Sequence, residues 1–268
     1  MLLRVTHETT YHYDHPVRNA VQSLRLRPSE FAGQKLLQWD VTIKDGIRGA
    51  AFRDGAGDHI EAWSVRGPVD SINVLVTGEV ETTDLTGVLR GHREQVSPIY
   101  YLNTTDLTQP DEALTTLAQS VSAKDPLDLA HALSGAVSDA IAYVTGVTAP
   151  DTTAAQALSL GKGVCQDHAH ALIALANVRD IPARYVSGYL HSTETGAQHD
   201  AAHAWAELHL PSLGWVAFDP ANRSCADDRY IRLASGLDAR DAAPVRGVFV
   251  GEAKETMTVH VAIGGTQQ

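Results

Sequence analysis

The residues of this sequence that could do chemistry are a cysteine, a histidine and an aspartate, met in that order. Cys165 directly follows Gly163 and Val164, and it begins a run in which apolar residues recur at helical spacing. Its thiol is therefore expected at a helix N-terminus, where the first backbone N–H groups have no partner within the helix. His203 and Asp219 follow in two strand-like runs. A thiol at a helix start, an imidazole that carries its proton and a carboxylate that orients the imidazole form a nucleophilic site. We predict Cys165 as nucleophile, His203 as base and Asp219 as orienter.

Two strand-like runs, residues 202–210 and 215–219, have to bring the histidine and the aspartate together. A short loop with proline and glycine separates them and is typical of a hairpin. Apolar residues alternate with polar or aromatic ones along both runs, which predicts a core face and an opposite face. His203 and Asp219 share the opposite face.

The register of this hairpin decides which side chain orients the imidazole. If His209 opposes Trp215, the aspartate is the diagonal neighbour of His203 on the same face. A shift of one residue would place Asn222 opposite the histidine and turn Asp219 away. The apolar alternation favours the first register, and Asn222 remains the alternative orienter.

Histidines are frequent in this region, which raises the alternative of a metal site. Structural zinc normally takes four ligands at compact spacings, and only one cysteine is available here. We therefore predict no native metal and no cofactor, although adventitious zinc or copper could bind Cys165 and His203. Cys225, in a polar loop, is interpreted as an incidental thiol. The histidines weighed are His168, His170, His199, His203 and His209.

Four short motifs carry these residues: GVCQD at 163–167, IPARYVSGY at 181–189, HAW at 203–205 and FDPAN at 218–222. In this order they resemble the transglutaminase-like superfamily. The pattern is most similar to the bacterial transglutaminase-like cysteine peptidases, and the resemblance covers nearly the whole chain. One departure is Asp180, where family members usually have a glycine that ends the helix in a left-handed conformation.

The resemblance implies an α+β protein with an N-terminal antiparallel β domain. A papain-like core follows, in which the nucleophile begins a helix packed on an antiparallel sheet. It also implies hydrolysis of a peptide or amide substrate through a thioester acyl-enzyme. Two alternatives stay open: a transglutaminase that passes the acyl group to an amine, and a non-catalytic binding module. No acidic loop of calcium-binding type lies between the motifs to suggest a calcium-dependent enzyme.

An oxyanion formed at the thiol needs hydrogen-bond donors. The backbone N–H of Cys165 is one candidate, and a further donor has to come from elsewhere. Tyr143, from the preceding helical region, is a candidate for it, although packing at a helix end explains this aromatic equally well. Gln166 and Trp205 are further candidates for oxyanion or substrate contacts, and Trp205 is also typical of a pocket wall.

Hydrophobic periodicity divides the chain into three parts. Residues 1–85 alternate with a period of two and predict the antiparallel β domain, with turns where proline and glycine cluster. Residues 98–225 form the catalytic core, which begins with helices. Residues 226–268 form a C-terminal segment whose alternating run, Glu255 to Ile263, is expected to return to the N-terminal domain. Turns are predicted at Asp14-His15-Pro16, Lys44-Asp45-Gly46, Asp54-Gly55 and Arg66-Gly67-Pro68.

Composition limits the partners and the location. Lys and Arg total 21 against 32 Asp and Glu, and the net charge of -11 argues against nucleic acid or an anionic membrane as a partner. The start of the sequence lacks the pattern of a signal peptide, and no apolar run approaches transmembrane length. We expect a cytoplasmic protein in which both cysteines are free thiols. The oligomeric state is left open.

Overall fold

The computed structural model describes residues 1–191 and 202–266, which form an N-terminal antiparallel sheet and a second, helix-backed antiparallel sheet. Each sheet has its own apolar core. No helix in the described part of the chain has the length and apolar character needed to cross a membrane. The architecture is the α+β arrangement that the sequence predicts.

The N-terminal sheet is built around two long antiparallel strands, whose buried side chains alternate with exposed ones over most of their length. The turns predicted at Lys44-Asp45-Gly46 and Asp54-Gly55 are present on either side of the third strand. The sheet's strands are β1 (Leu2–Leu24), β2 (Gln34–Ile43), β3 (Gly46–Arg53) and β4 (His59–Thr82).

Two of the predicted turns are wrong, because the long strands continue through them. The segments at 14–16 and 66–68 lie inside β1 and β4, where the pairing register shifts on either side of Val17. An irregularity of this kind accommodates a proline that cannot donate to the ladder. A Cβ on Gly67 would lie 2.1 Å from the Val17 carbonyl oxygen, so this close approach of the strands needs a glycine.

The C-terminal segment returns to this sheet. Strands β12 (Val245–Val250) and β13 (Glu255–Thr266) both pair antiparallel with β1. The register of β13 runs from Leu2 opposite Thr266 to Tyr13 opposite Glu255, which covers the outer edge of the first half of β1. Residues more than 240 positions apart therefore share one sheet.

Deleting residues 252–268 is expected to lower the melting temperature and to expose the N-terminal sheet to protease. The deletion removes β13 and leaves the edge of β1 with unpaired main-chain groups. Thermal melting and limited proteolysis check this, with deletion of residues 267–268 alone as the control that should melt like the full chain. Unchanged melting after the longer deletion would show that β13 contributes nothing to stability.

Four helices in the described part of the core precede and support the second sheet, after a short 3₁₀ helix at Pro98–Leu102. Side chains of Asp111, Asp125 and Thr153 accept hydrogen bonds from the first turns of three of them, as expected for N-cap residues. The second helix ends at Ala140, although apolar residues continue at helical spacing in the sequence as far as Val144, next to Gly146. The helices are α1 (Glu112–Ser120), α2 (Pro126–Ala140), α3 (Ala154–Leu160) and α4 (Cys165–Val178).

Residues beyond α2 form a short strand instead. Strand β5 (Ala142–Tyr143) pairs in parallel with β6 (Lys162–Gly163), which leads directly into α4. Every residue of α4 from Asp167 to Ala176 is buried, so the helix is covered on all of its faces and not only along its apolar one. Asp180, just beyond it, adopts the left-handed conformation for which the resemblance led us to expect a glycine, with φ 56°.

The second sheet has the strand order β10-β9-β8-β7-β11. Its inner face, with Ala204, Ala206 and Leu208, packs on α4. His209 opposes Trp215, so the predicted register of the hairpin is confirmed. The strands are β7 (Ala183–Leu190), β8 (Ala202–Leu210), β9 (Gly214–Asp219), β10 (Ser224–Cys225) and β11 (Tyr230–Gly236).

A group of charged side chains, here called the buried ion cluster, connects the N-terminal region to the second sheet. Arg232 contacts Glu207 through Nε at 2.9 Å and Asp58 through Nη1 at 2.9 Å. Arg184 contacts the other oxygen of Glu207 at 2.7 Å and also pairs with Glu94. Burial raises the pKa of Glu207, but the two arginines lower it by more, to about 2. The cluster therefore holds ionised groups in the interior.

Candidate active site

Cys165 is the first residue of α4, and the turn that precedes it is held by Asp167. The Asp167 carboxylate accepts hydrogen bonds from the Val164 N–H at 2.7 Å and from the Thr148 hydroxyl at 2.7 Å. A Cβ on Gly163 would lie 2.6 Å from the Asp167 Cβ, so only glycine leaves room for this contact. The Val164 N–H is thereby occupied, and the N–H of Cys165 remains at the helix start for a ligand.

His203, in β8, joins the thiol to the carboxylate. Its Nε2 lies 2.6 Å from Asp219 Oδ2, and the Cys165 side chain lies close enough to the ring to raise its pKa. Burial lowers the pKa of His203, but the hydrogen bonds to Asp219 and Cys165 and the negative charges of both raise it to about 10. The protonated ring is therefore stabilised beside a buried carboxylate and a cysteine side chain, and a cysteine nucleophile with its acid–base partner needs such an arrangement.

The Asp219 carboxylate is fully buried and receives several donors. Asn222 Nδ2 donates to its Oδ2 at 2.7 Å, and the Tyr230 hydroxyl donates to the same oxygen at 2.8 Å. Burial raises the pKa of Asp219, but His203 and these donors lower it below the usual range. Asn222 Nδ2 also lies 3.3 Å from His203 Nε2. The amide of Asn222 thus contacts both partners, while the shorter contact to the imidazole comes from Asp219.

The further candidates lie in different environments. Trp205 is 2% exposed and stacks beside the His203 ring at 6.2 Å between centroids, as a wall of the imidazole site. Gln166 donates its side-chain amide to the Pro150 carbonyl at 3.1 Å. Tyr143 is 47% exposed, and burial and the charges on Cys165 and Asp219 raise its pKa. Of the three, Tyr143 is the most exposed side chain.

Two residues that support the site were missed by sequence reasoning. Tyr230 comes from β11, which no local motif connects to the aspartate. His168 lies one turn beyond Cys165, with Nδ1 at 2.9 Å from the Val164 carbonyl and Nε2 at 2.8 Å from the Ile141 carbonyl. His168 ties β5 to the start of α4.

The histidines considered as metal ligands have separate partners. His168 contacts the two carbonyls, His170 accepts from the Ala239 N–H at 3.0 Å, and His209 packs edge-on against Trp215. His199 lies outside the described residues. Within residues 1–191 and 202–266, no group of three or more His, Cys, Asp or Glu side chains is arranged to hold a metal ion.

A helix that begins with a cysteine, packed on an antiparallel sheet that carries a histidine and an aspartate, defines the transglutaminase-like class. The family model of the transglutaminase-like superfamily core matches residues 115–220. The model of the bacterial transglutaminase-like N-terminal region matches residues 3–81. The chain belongs to the transglutaminase-like superfamily and carries its bacterial N-terminal region. This membership supports a cysteine-dependent enzyme.

Several relatives are similar over most of their length. The uncharacterized protein ML0607 of Mycobacterium leprae is 27% identical, over 97% of this chain and 98% of the relative. The uncharacterized protein Rv2569c of Mycobacterium tuberculosis is also 27% identical, over 92% of this chain and 87% of its own. The crystal structure of a "putative cysteine protease" from Cytophaga hutchinsonii has a TM-score of 0.77 at 21% identity, covering 100% of this chain and 92% of that one. This likeness shows a shared fold.

Proposed function

We propose that the protein is a cysteine-dependent amide-bond hydrolase that works through a thioester acyl-enzyme. The observation that carries the proposal is the position of His203, which contacts the Cys165 side chain on one side and the buried Asp219 carboxylate at 2.6 Å on the other. A histidine placed in this way can both stabilise a thiolate and deliver a proton to a leaving group. A binding module has no need of this connected set of charges.

In the first half of the reaction, the Cys165 thiolate attacks the amide carbonyl carbon, and the carbonyl becomes an oxyanion. The backbone N–H of Cys165 and the Tyr143 hydroxyl are our candidates for its donors. The C–N bond then breaks, and the His203 imidazolium gives its proton to the departing amine. The products are a free amine and a thioester on Cys165, with a neutral imidazole.

In the second half, water attacks the thioester while His203 accepts one of its protons. The C–S bond breaks, a carboxylic acid leaves, and the thiolate–imidazolium pair is restored. Asp219 keeps the imidazole in one orientation and stabilises its cationic form in both halves. The carboxylate itself stays ionised, as its lowered pKa favours.

We further propose, from composition, that the protein is cytoplasmic.

Intact-protein mass spectrometry with a reactive acyl ester tests the proposal. We expect one acyl group on Cys165, its loss in Cys165→Ala, and its retention in the matched control Cys225→Ala. Burial and the charge on Asp84 raise the pKa of Cys225, so this thiol should stay unlabelled. In the presence of a primary amine we expect the carboxylic acid as the main product. Predominant amide product would show a transferase instead, and equal labelling of both cysteines would contradict the assigned nucleophile.

A further inference from the structure

The short parallel pair beside the nucleophile leaves one main-chain edge open. The Ala142 N–H donates to the Gly161 carbonyl at 2.9 Å, and the Val144 N–H donates to the Gly163 carbonyl at 2.9 Å. Because main-chain groups alternate in direction along a strand, the N–H and C=O of Tyr143 point away from β6. Among the hydrogen bonds of residues 1–191 and 202–266, neither group has a partner.

This edge is fixed close to the thiol. Tyr143 is opposite Gly163 in the parallel register, and Gly163 precedes Cys165 by two positions. The contact of His168 Nε2 with the Ile141 carbonyl anchors β5 to the first turn of α4. Tyr143 is half-exposed, and the charge on Cys165 contributes to raising the pKa of its phenol, which agrees with a place at the mouth of the site. An unpaired donor and acceptor therefore lie on a strand that is anchored to the helix beginning with Cys165.

We propose that the substrate is an extended polypeptide segment whose main chain adds to β5 as a third strand, by pairing with the N–H and C=O of Tyr143. The proposal rests on the hydrolase function above and specifies its substrate class. In antiparallel pairing, a donor and an acceptor from one residue of an edge strand match one residue of an extended peptide, which offers both groups on one side. A small amide offers no such pair at a distance from the bond that is cleaved.

Recognition through main-chain groups has a consequence for specificity. The two hydrogen bonds are the same for every residue type except proline, so the residue that pairs with Tyr143 is selected for extended conformation and not for its side chain. We expect broad tolerance of sequence at that position and exclusion of proline there.

A pair of variants at one position separates the main-chain donor from the ring. Tyr143→Ala removes the phenol and keeps the N–H, whereas Tyr143→Pro removes both. Proline is tolerated in an edge strand where its missing N–H faces away from the ladder. The probes are acetyl-tetra-alanine chloromethyl ketone, which offers an extended main chain to the site, and iodoacetamide, which does not.

With the peptidyl probe, Tyr143→Pro should label Cys165 about tenfold more slowly than Tyr143→Ala, the loss expected for one hydrogen bond. With iodoacetamide the two variants should react at equal rates. In wild-type protein, N-methylation of one particular amide of the peptidyl probe should slow labelling by about the same factor, because it removes the donor to the Tyr143 carbonyl. This second series does not depend on the folding of any variant.

Two results together would contradict the proposal that the substrate pairs with β5: equal labelling rates of the two variants with the peptidyl probe, and no change in rate on N-methylation of the probe at any position. Neither result would contradict the assignment of Cys165 as nucleophile. Failure of iodoacetamide to label Cys165 in wild-type protein would instead overturn the hydrolase function itself. The two failures are therefore distinguishable in one set of measurements.

Discussion

Asp219→Asn should lower turnover of a reactive acyl substrate by about 10³- to 10⁴-fold, the loss typical of replacing the aspartate that orients a catalytic histidine. The amide keeps the shape of the side chain but removes the charge that helps to raise the pKa of His203 to about 10. It also places an N–H donor where the imidazole needs an acceptor. Steady-state rates measured across pH check this, and the histidine-dependent limb of the profile should move to lower pH.

The matched control is Asn222→Ala. The Asn222 side chain donates one hydrogen bond to Asp219 Oδ2, and Tyr230 and His203 still contact the same oxygen after its loss. We expect a decrease of at most about tenfold. A larger decrease for Asn222→Ala than for Asp219→Asn would reverse the assignment and make the amide the orienter. Thermal melts of both variants separate these effects from loss of folding.

Arg232→Met should lower the free energy of unfolding by about 3–5 kcal/mol, because it leaves the buried Asp58 carboxylate without its cation and leaves Glu207 with Arg184 alone. Arg232 is almost fully buried and contacts Glu207, Asp58 and the Ser29 hydroxyl. The control is Arg4→Met, which breaks the exposed pair with Glu79 and should cost about 0–1 kcal/mol. Denaturant unfolding of the three proteins measures both differences. Equal midpoints for the two variants would show that the buried ion cluster contributes little net stability.

The same cluster predicts a dependence on acid. The pKa of Glu207 is lowered from 4.5 to about 2 in the folded protein, so the unfolded chain binds a proton first as pH falls. Its contribution to stability is therefore present above pH 4.5 and is lost between 4.5 and 2. Between pH 4.5 and 2, the Glu207→Gln variant should therefore lose less of its free energy of unfolding than the wild-type protein does. At neutral pH the variant should be the less stable of the two.

Local patterns in the sequence determined much of the fold and named the candidate site. Alternating apolar residues predicted the hairpin register, and the turn signals at Lys44-Asp45-Gly46 and Asp54-Gly55 marked two connections between strands. These features follow from neighbouring residues, so they are readable without the tertiary structure. Where the long strands bend through Gly67 and near Val17, the same local signals predicted turns, because proline and glycine are typical of turns and of strand irregularities alike.

Other features exist only because distant segments meet. Tyr230 reaches the Asp219 carboxylate through the pairing of β11 with β7, and the buried ion cluster assembles residues that are up to 174 positions apart, as Arg232 is from Asp58. The strand at Tyr143 forms because β6 offers it a parallel partner, which overrides the helical apolar pattern of that segment. The sequence by itself could thus name the cysteine, the histidine and the aspartate. Only the tertiary structure decided what surrounds them, since long-range pairing and desolvation of charge depend on contacts that no local pattern encodes.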